Sequence, residues 1–383
     1  MQMIPNSIKP LGGLLAAGLL VIGCTWRTSD LPPKVPQGTS AALILRDAEA
    51  LRPLTSRFKE IQKIALESDA MMGTQEVSKL VKDIGLEAIQ IRWVALTVGS
   101  ITTPGKIPDV GLAVSFQHDA EKIITGLEPL LKGTNNTEKV FVPTSFVGQD
   151  GWMLAPSNQF RHLGFKPCCA SLNGEILLLG TNPSSLENLV RLYRDDKDES
   201  PSFKDISEAD DDILGLRATK IGTTIAKFIS TRELDKYSFG FPIENFSKVV
   251  TGLDDLIVHL SVDETSLKLF ASLKAAKADD AILLRALAQI KLVTGKSKAP
   301  ALIEESEILK KQSEKFQAVL QSVTIGGEDE NVEISARLPI DLLVYLLDEF
   351  ITDIVRDHQR KTIHSCQVPP TNPNKENHEI QLD

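Results

Sequence analysis

Two short segments have residue types and spacings that could support catalysis or nucleotide binding. Ser56 and Lys59 have the S-x-x-K spacing in which a lysine can activate a nucleophilic serine, but neither S-D-N nor K-T-G occurs in the sequence. Gly295-Lys296-Ser297 matches the end of a phosphate-binding loop, but Ile290 stands where that loop requires glycine. We therefore predict no catalytic residues and no cofactor, and we interpret Gly295 as the end of a helix.

Histidines and carboxylates do not follow a metal-binding pattern. None of the six histidines belongs to an H-E-x-x-H motif, and the acidic runs 210–212 and 328–330 lack the spacing of a calcium loop. We interpret both runs as solvated linker and turn, and predict no metal site. His259 faces away from Val258 and Leu260 on its strand, which is typical of a surface or second-layer residue.

The sequence has four cysteines, Cys24, Cys168, Cys169 and Cys366. Without Cys24 three remain, and three thiols cannot all pair within one chain. Because neighbouring strand residues point to opposite faces, we expect only one of Cys168 and Cys169 to be well placed for the core. Two interpretations stay open: buried or unpaired thiols, which we favour, and a disulfide that joins Cys366 to Cys168 or Cys169.

The N-terminal residues have the layout of a secretory signal. One cation, Lys9, precedes an apolar run of 13 residues from Leu11 to Gly23. A helix needs about 20 apolar residues to cross a bilayer core, so this run is too short to be a comfortable membrane anchor.

The end of the apolar run, Val21-Ile22-Gly23-Cys24, resembles the lipobox of bacterial prolipoproteins. The resemblance implies cleavage between Gly23 and Cys24, a diacylglyceryl group on the Cys24 thiol and acylation of the new amino group. Several acyl chains anchor a protein stably, whereas one gives only marginal binding. Thr25 follows the cysteine instead of the Asp that marks inner-membrane retention, which implies an outer-membrane lipoprotein that faces the periplasm.

Composition and net charge disfavour some classes of binding partner. The chain is 42% hydrophobic and 24% charged, as is ordinary for globular proteins, and its formal net charge is −9. Removal of Lys9 with the signal makes the mature charge −10. An acidic surface disfavours binding to nucleic acid and electrostatic binding of a polybasic segment to anionic lipid. We therefore expect membrane contact through the lipid anchor.

The domain organisation follows from composition and periodicity. We predict a signal peptide (1–23), a proline-containing spacer (24–38), a first half (39–194), an acidic linker (195–212), a second half (213–356) and a disordered tail (357–383).

Within the halves, a pattern of two alternating strands followed by an amphipathic helix recurs in four segments. These segments are 94–127, 168–190, 256–290 and 323–354. Each half also opens with a strand that ends in Leu-Arg, 42–46 and 213–217. We therefore predict an α+β fold of mostly antiparallel sheets covered by helices, built from duplicated strand-strand-helix units.

This arrangement, with Val35-Pro36-Gln37-Gly38-Thr39 opening the first strand, resembles a broad group of exported bacterial proteins of unknown function. The resemblance supports the architecture and implies no activity. We expect a lipid-anchored, non-catalytic binding or scaffolding module of the cell envelope. The alternatives are an envelope hydrolase whose site forms only in three dimensions, and a carrier of an apolar ligand in a cavity.

Overall fold

The described part of the chain covers ten stretches of a computed structural model. These are 32–46, 91–100, 108–116, 141–154, 166–195, 199–209, 211–228, 246–263, 265–349 and residue 352. Gly23, Cys24, Cys366, the Ser56/Lys59 pair and the tail 357–383 lie outside them.

All named strands of the described residues belong to one antiparallel sheet of twelve strands, in the order β11-β12-β10-β9-β8-β1-β2-β3-β7-β6-β5-β4. Their bounds are β1 Thr39–Arg46, β2 Ile91–Gly99, β3 Val110–Phe116, β4 Phe141–Phe146, β5 Gln149–Leu154, β6 Cys168–Leu172, β7 Ile176–Gly180, β8 Asp212–Thr219, β9 Leu253–Val262, β10 Ser266–Ala275, β11 Thr324–Gly326 and β12 Asn331–Pro339.

Helices follow several of these strands. Their bounds are α1 Pro183–Asp195, α2 Lys204–Ser207, α3 Ile221–Phe228, α4 Phe246–Thr251, α5 Ala278–Glu305, α6 Glu307–Lys311, α7 Ser313–Ser322 and α8, of which residues 340–349 are described. The α+β class with antiparallel strands is confirmed.

The two strands that contain Leu-Arg are neighbours at the centre of the sheet, although β8 continues two residues beyond Arg217. Ile44 of β1 lies opposite Gly215 of β8. Outward from this pair the strands follow as β2, β3, β7, β6 on one side and β9, β10, β12, β11 on the other, and the β5-β4 hairpin extends the first side. The order is the one expected of two related halves, and their origin by duplication stays a prediction.

Helices cover opposite faces of the two sides. On the first side, Leu186, Leu189 and Val190 of α1 pack in the main core with Trp93 and Ala95. Ala95, Ile44, Gly215 and His259 are in register across four strands, so they share that face. On the second side, Leu343, Val344 and Leu347 of α8 instead pack with Leu260 and Val262, which face the other way.

Two segments predicted to be polar connections are packed into the fold. Val35, assigned to the spacer, is fully buried in the main core, and Ser200 N–H donates to its carbonyl at 2.8 Å. Phe203 and Ile206, assigned to the acidic linker, are buried in the same core. Phe203 and Ile206 are each flanked by polar residues, and Val35 lies between a lysine and a proline, so the average composition of these segments did not indicate buried side chains.

Helix α5 is longer than predicted. We expected Gly295 to end it, but the helix begins after Lys277 and runs through Gly295 to Glu305. Gly295 has no atom within 4 Å of the position where a Cβ would stand. A glycine in an exposed helix costs only about 1 kcal/mol, and burial of Ala299 and Ile303 continues the helix beyond it.

Candidate functional site

Cys168 and Cys169 are both buried, and neither forms a disulfide with another described residue. The side chain of Cys168 faces the main core and its thiol donates to the Gly180 carbonyl at 3.6 Å, whereas Cys169 lies opposite Trp152 on the other face. As expected, only Cys168 belongs to the main core, but Cys169 is buried as well, because the other face of β6 is also covered. Burial raises the pKa of each thiol to about 12, which keeps both protonated and unreactive. A pairing with Cys366 stays a prediction.

Asp212 was assigned to a solvated linker, but it is buried at the start of β8. The register between β8 and β9 shifts between Asp212 and Leu214, so Asp212 pairs with Ser261 and its side chain turns toward His259. Nδ1 of His259 donates to Oδ2 of Asp212. Their side chains are 22% and 11% exposed, and Phe270 lies beside the imidazole with ring centroids 6.2 Å apart.

A carboxylate and an imidazole also occur together in nucleophilic triads, which require in addition a hydroxyl or thiol beside the second ring nitrogen. His259 gives the buried carboxylate of Asp212 a hydrogen-bonding partner, and buried carboxylates usually have one.

Two arginines hold the segment before β8 against the sheet. Nη2 of Arg46 donates to the carbonyls of Ile206 and Ser207 at 2.7 Å each. Nη1 of Arg217 donates to Asp205 at 3.0 Å, Nη2 forms an ion pair with Asp255, and the guanidinium lies 5.9 Å from the centre of the Phe203 ring. The Leu-Arg endings noticed in the sequence thus position the acidic segment.

The most exposed apolar surface lies on helix α5. Ile282, Leu283, Ile290 and Val293 are 36 to 67% exposed, although the helix has 28 residues and packs on the sheet. At 3.6 residues per turn these four side chains fall within one arc of about 100°. We call this set the α5 apolar stripe. The helical period of segment 256–290 places Leu283 and Ile290 on one apolar side with Leu284, and their exposure shows that this side does not face the core as a whole.

A different side of α5 makes the contacts that the sequence predicted for the helix. Ala281 and Leu284 pack with Ala275 and Val332 of the sheet. Because apolar residues occur on both sides, the period alone did not tell which side faces the core. What the sequence does indicate is that the apolar residues of α5 cover more of the helix surface than one core-facing stripe requires.

Positive charge flanks the α5 apolar stripe. No Asp or Glu occurs between Asp280 and Glu304, whereas Arg285, Lys291, Lys296 and Lys298 do. At helical spacing Lys291 and Lys298 border one side of the stripe, and Arg285 and Lys296 border the other. Arg285 is held to the β11-β12 connection, where Nη1 donates to the carbonyls of Gly327 at 2.5 Å and Asn331 at 3.0 Å.

Across the stretches that the structure describes, no three His, Cys, Asp or Glu side chains are grouped to hold a metal ion. Within the same stretches, none of the helices combines the length and apolar character needed to cross a bilayer.

Comparisons with known proteins give only distant likenesses. No protein-family model matches the sequence, and no curated protein matches it. Two crystal forms of TP0453, forms IV and III, each match with 11% sequence identity and a TM-score of 0.40. The matches cover 82% and 85% of this chain and 97% and 95% of theirs. A likeness at this level implies no activity for the present chain.

Proposed function

We propose that this chain is a lipid-anchored, non-catalytic binding module of the cell envelope, most simply on the periplasmic side of the outer membrane, which docks a protein partner through helix α5. The observation that carries the proposal is the α5 apolar stripe. Large aliphatic side chains that stay exposed together, bordered by charged residues, are characteristic of interaction surfaces. The stripe has the i, i+1, i+8, i+11 spacing of a helix face that another element can cover.

The positive charge of helix α5 indicates what kind of partner it would bind. The 23 residues from 281 to 303 carry four cations and no anion, in a chain whose formal net charge is −9. A partner with an apolar ridge flanked by carboxylates would complement both features of this surface. The strongly acidic remainder of the chain would be repelled by anionic lipid, which favours a protein over a bilayer as the occupant.

The anchor would keep the folded module close to the membrane. Eight residues lead from Cys24 to Pro32, where the described chain begins, and eight extended residues span at most roughly 28 Å. Lys34 and Val35 are already fixed to the fold, since Lys34 N–H donates to the Tyr193 hydroxyl at 2.9 Å and Val35 is in the core. The tether therefore ends earlier than the predicted spacer, and a partner would meet the module near the lipid surface.

A photo-crosslinking experiment tests the proposal. We would replace Ile290 or Val293 by a benzophenone amino acid in the full chain, irradiate cells, and compare the adducts with those formed from Val142. Val142 is a matched control, because it is an exposed aliphatic residue on the β4 edge strand, away from α5. We expect one discrete protein adduct, of the same mass, from positions 290 and 293 and none of that mass from 142.

Charge reversal then tests the chemistry of the partner. The pair Lys296→Glu and Lys298→Glu leaves the apolar stripe intact, and we expect it to reduce the adduct about tenfold or more. An adduct whose yield does not change on charge reversal, or one that forms equally from position 142, would contradict the proposal. Crosslinks to lipid alone would show that the stripe lies on a bilayer, and would also overturn it.

A further inference from the structure

The β4-β5 hairpin forms one wall of an open groove, and we infer that this groove binds an uncharged saccharide. The inference does not depend on the partner proposed for α5, because the groove lies at the opposite end of the strand order. Its volume is about 690 Å³, within the range of about 300 to 1,000 Å³ that is usual for small-molecule sites. The lining residues are Pro143, Thr144, Ser145, Gln149, Asp150, Gly151, Trp152, Ser171 and Gly174.

The hairpin register brings an aromatic ring and polar groups to one face. Val147 and Gly148 both have positive φ, 53° and 77°, as a two-residue hairpin turn requires. This turn places Pro143 opposite Trp152 and Ser145 opposite Asp150. Since the two pairs are separated by one residue on each strand, all four side chains project from the same face of the hairpin.

Contacts behind the groove fix its wall. Nε2 of Gln149 donates to the Ser171 carbonyl of β6 at 2.8 Å, which orients the side-chain amide. A Cβ at Gly151 would lie 2.5 Å from the Cys169 carbonyl, so only glycine lets β5 approach β6 this closely. Trp152 lies opposite Cys169 in the same pairing. The indole of Trp152 thus projects from a strand that pairs on both sides, with β4 and with β6.

This combination matches the chemistry of a sugar ring. A pyranose has a flat face of C–H groups, which packs on an indole or a proline ring, and a rim of hydroxyls, which needs both donors and acceptors. Ser145 and Ser171 supply hydroxyl groups that donate and accept, and Asp150 supplies an acceptor. Specific small-molecule sites typically combine an apolar surface with a small number of well-positioned polar groups.

The charge of the groove excludes anionic ligands. Asp150 is the single ionisable side chain among the nine lining residues. A phosphate, a uronic acid or another carboxylate would meet a like charge there, and no cation among the described lining residues offsets it. Neutral sugars and N-acetylated amino sugars carry no such penalty, and they are the class we assign to the groove.

Binding can be measured directly on the solubilised full chain. The probes are hexamers of β-1,4-linked N-acetylglucosamine and of β-1,4-linked glucose, with an oligogalacturonate hexamer as the acidic comparison. Saturation-transfer NMR and titration of tryptophan fluorescence report the contact. We expect at least one neutral hexamer to bind and the acidic hexamer to bind at least about tenfold more weakly.

Three variants locate the contact. We expect Trp152→Ala to weaken binding about tenfold or more, and Asp150→Ala, at an exposed position, to weaken it several-fold. Val142→Ser is the matched control, since Val142 is exposed on the same hairpin but does not line the groove. Asp150→Ala decides the outcome if Trp152→Ala disturbs the hairpin. Failure of both neutral hexamers to bind, equal binding of the acidic hexamer, or wild-type affinity in Asp150→Ala would overturn the inference.

Discussion

Trp93 and Tyr193 stack in the main core with ring centroids 5.6 Å apart and planes 15° from parallel. The Tyr193 hydroxyl extends beyond the stack to the backbone of Lys34, accepting from its N–H at 2.9 Å and donating to its carbonyl at 3.3 Å. Burial raises the pKa of Tyr193 far above its ordinary value, so the hydroxyl remains protonated and able to donate. One side chain therefore connects α1, β2 and the segment that leads toward the proposed anchor.

Tyr193→Phe isolates this connection, because it keeps the stacked ring and removes only the hydroxyl. Two backbone groups of Lys34 then lose their partner, and we expect the free energy of unfolding to fall by about 1 to 3 kcal/mol. Urea denaturation of the full chain measures the change, and hydrogen exchange should show faster exchange of the Lys34 amide.

Tyr345→Phe is the control for that substitution. Tyr345 also donates one hydrogen bond, to Glu349 at 3.0 Å, but within a single helix near the surface. Its loss should cost well under about 1 kcal/mol. Equal destabilisation by the two variants would contradict a special role for Tyr193.

The elements that the sequence predicted well are those whose local signals agree with their packing. Val258 and Leu260 alternate with polar residues on β9, and Asn173-Gly174 forms the turn between β6 and β7 with positive φ at both residues. In both cases the signal is local, an alternating period on β9 and an Asn-Gly turn between β6 and β7, so the sequence alone was enough to predict the element.

The elements that escaped prediction depend on contacts remote in sequence. Asp212 is turned toward His259 by a bulge that exists only when β8 pairs with β9. The β4-β5 hairpin was not predicted, because Pro143 argues against a strand unless the strand lies at an edge. Its turn residues, Val147-Gly148, are also weaker signals than Asn-Gly. Trp152 and the groove therefore became visible only with the sheet order.

Pro143 has a second consequence, which concerns self-association. In a two-residue hairpin that closes at Phe146 and Gln149, residue 143 belongs to a non-hydrogen-bonded pair and directs its backbone groups away from β5. Because β4 ends the strand order of the described sheet, proline there removes an outward N–H that another chain could use.

We therefore expect Pro143→Val to raise the self-association constant about tenfold or more, since it restores that N–H on an edge strand. Sedimentation velocity over a range of protein concentrations measures this. Pro143→Lys restores the same N–H but adds a charge that opposes edge pairing, and it should behave like the wild type. Unchanged association of Pro143→Val would show that the edge is protected by other means.

The buried thiols predict alkaline destabilisation. The folded-state pKa of Cys168 and of Cys169 is raised from 9.0 to about 12, so unfolded thiols ionise at a lower pH than folded ones. The stabilisation is complete below pH 9 and is lost as the pH rises toward about 12, at up to about 1.4 kcal/mol per pH unit for each thiol.

Unfolding free energies measured across this interval test the sign. The double variant Cys168→Ala and Cys169→Ala starts from a lower stability because of the small cavities, but we expect it to lose less stability with rising pH than the wild type. Identical pH profiles would contradict the assignment. A thiol reagent should also label the native wild type far more slowly than the urea-unfolded chain.

Cys24 is the residue whose chemistry the sequence predicts most specifically, and its test needs no structural assumption. Cys24→Ser removes the thiol that would receive the diacylglyceryl group, so we expect incorporation of labelled fatty acid to be lost and the precursor to remain 23 residues longer than the mature chain. Gel mobility, intact mass and fatty-acid labelling measure both effects. Cys366→Ser is the matched control, because it removes a cysteine outside the lipobox and should leave labelling and cleavage intact. If Cys24→Ser were processed and labelled like the wild type, the anchor would be wrong, and the short tether to Val35 would no longer place the folded module near a membrane.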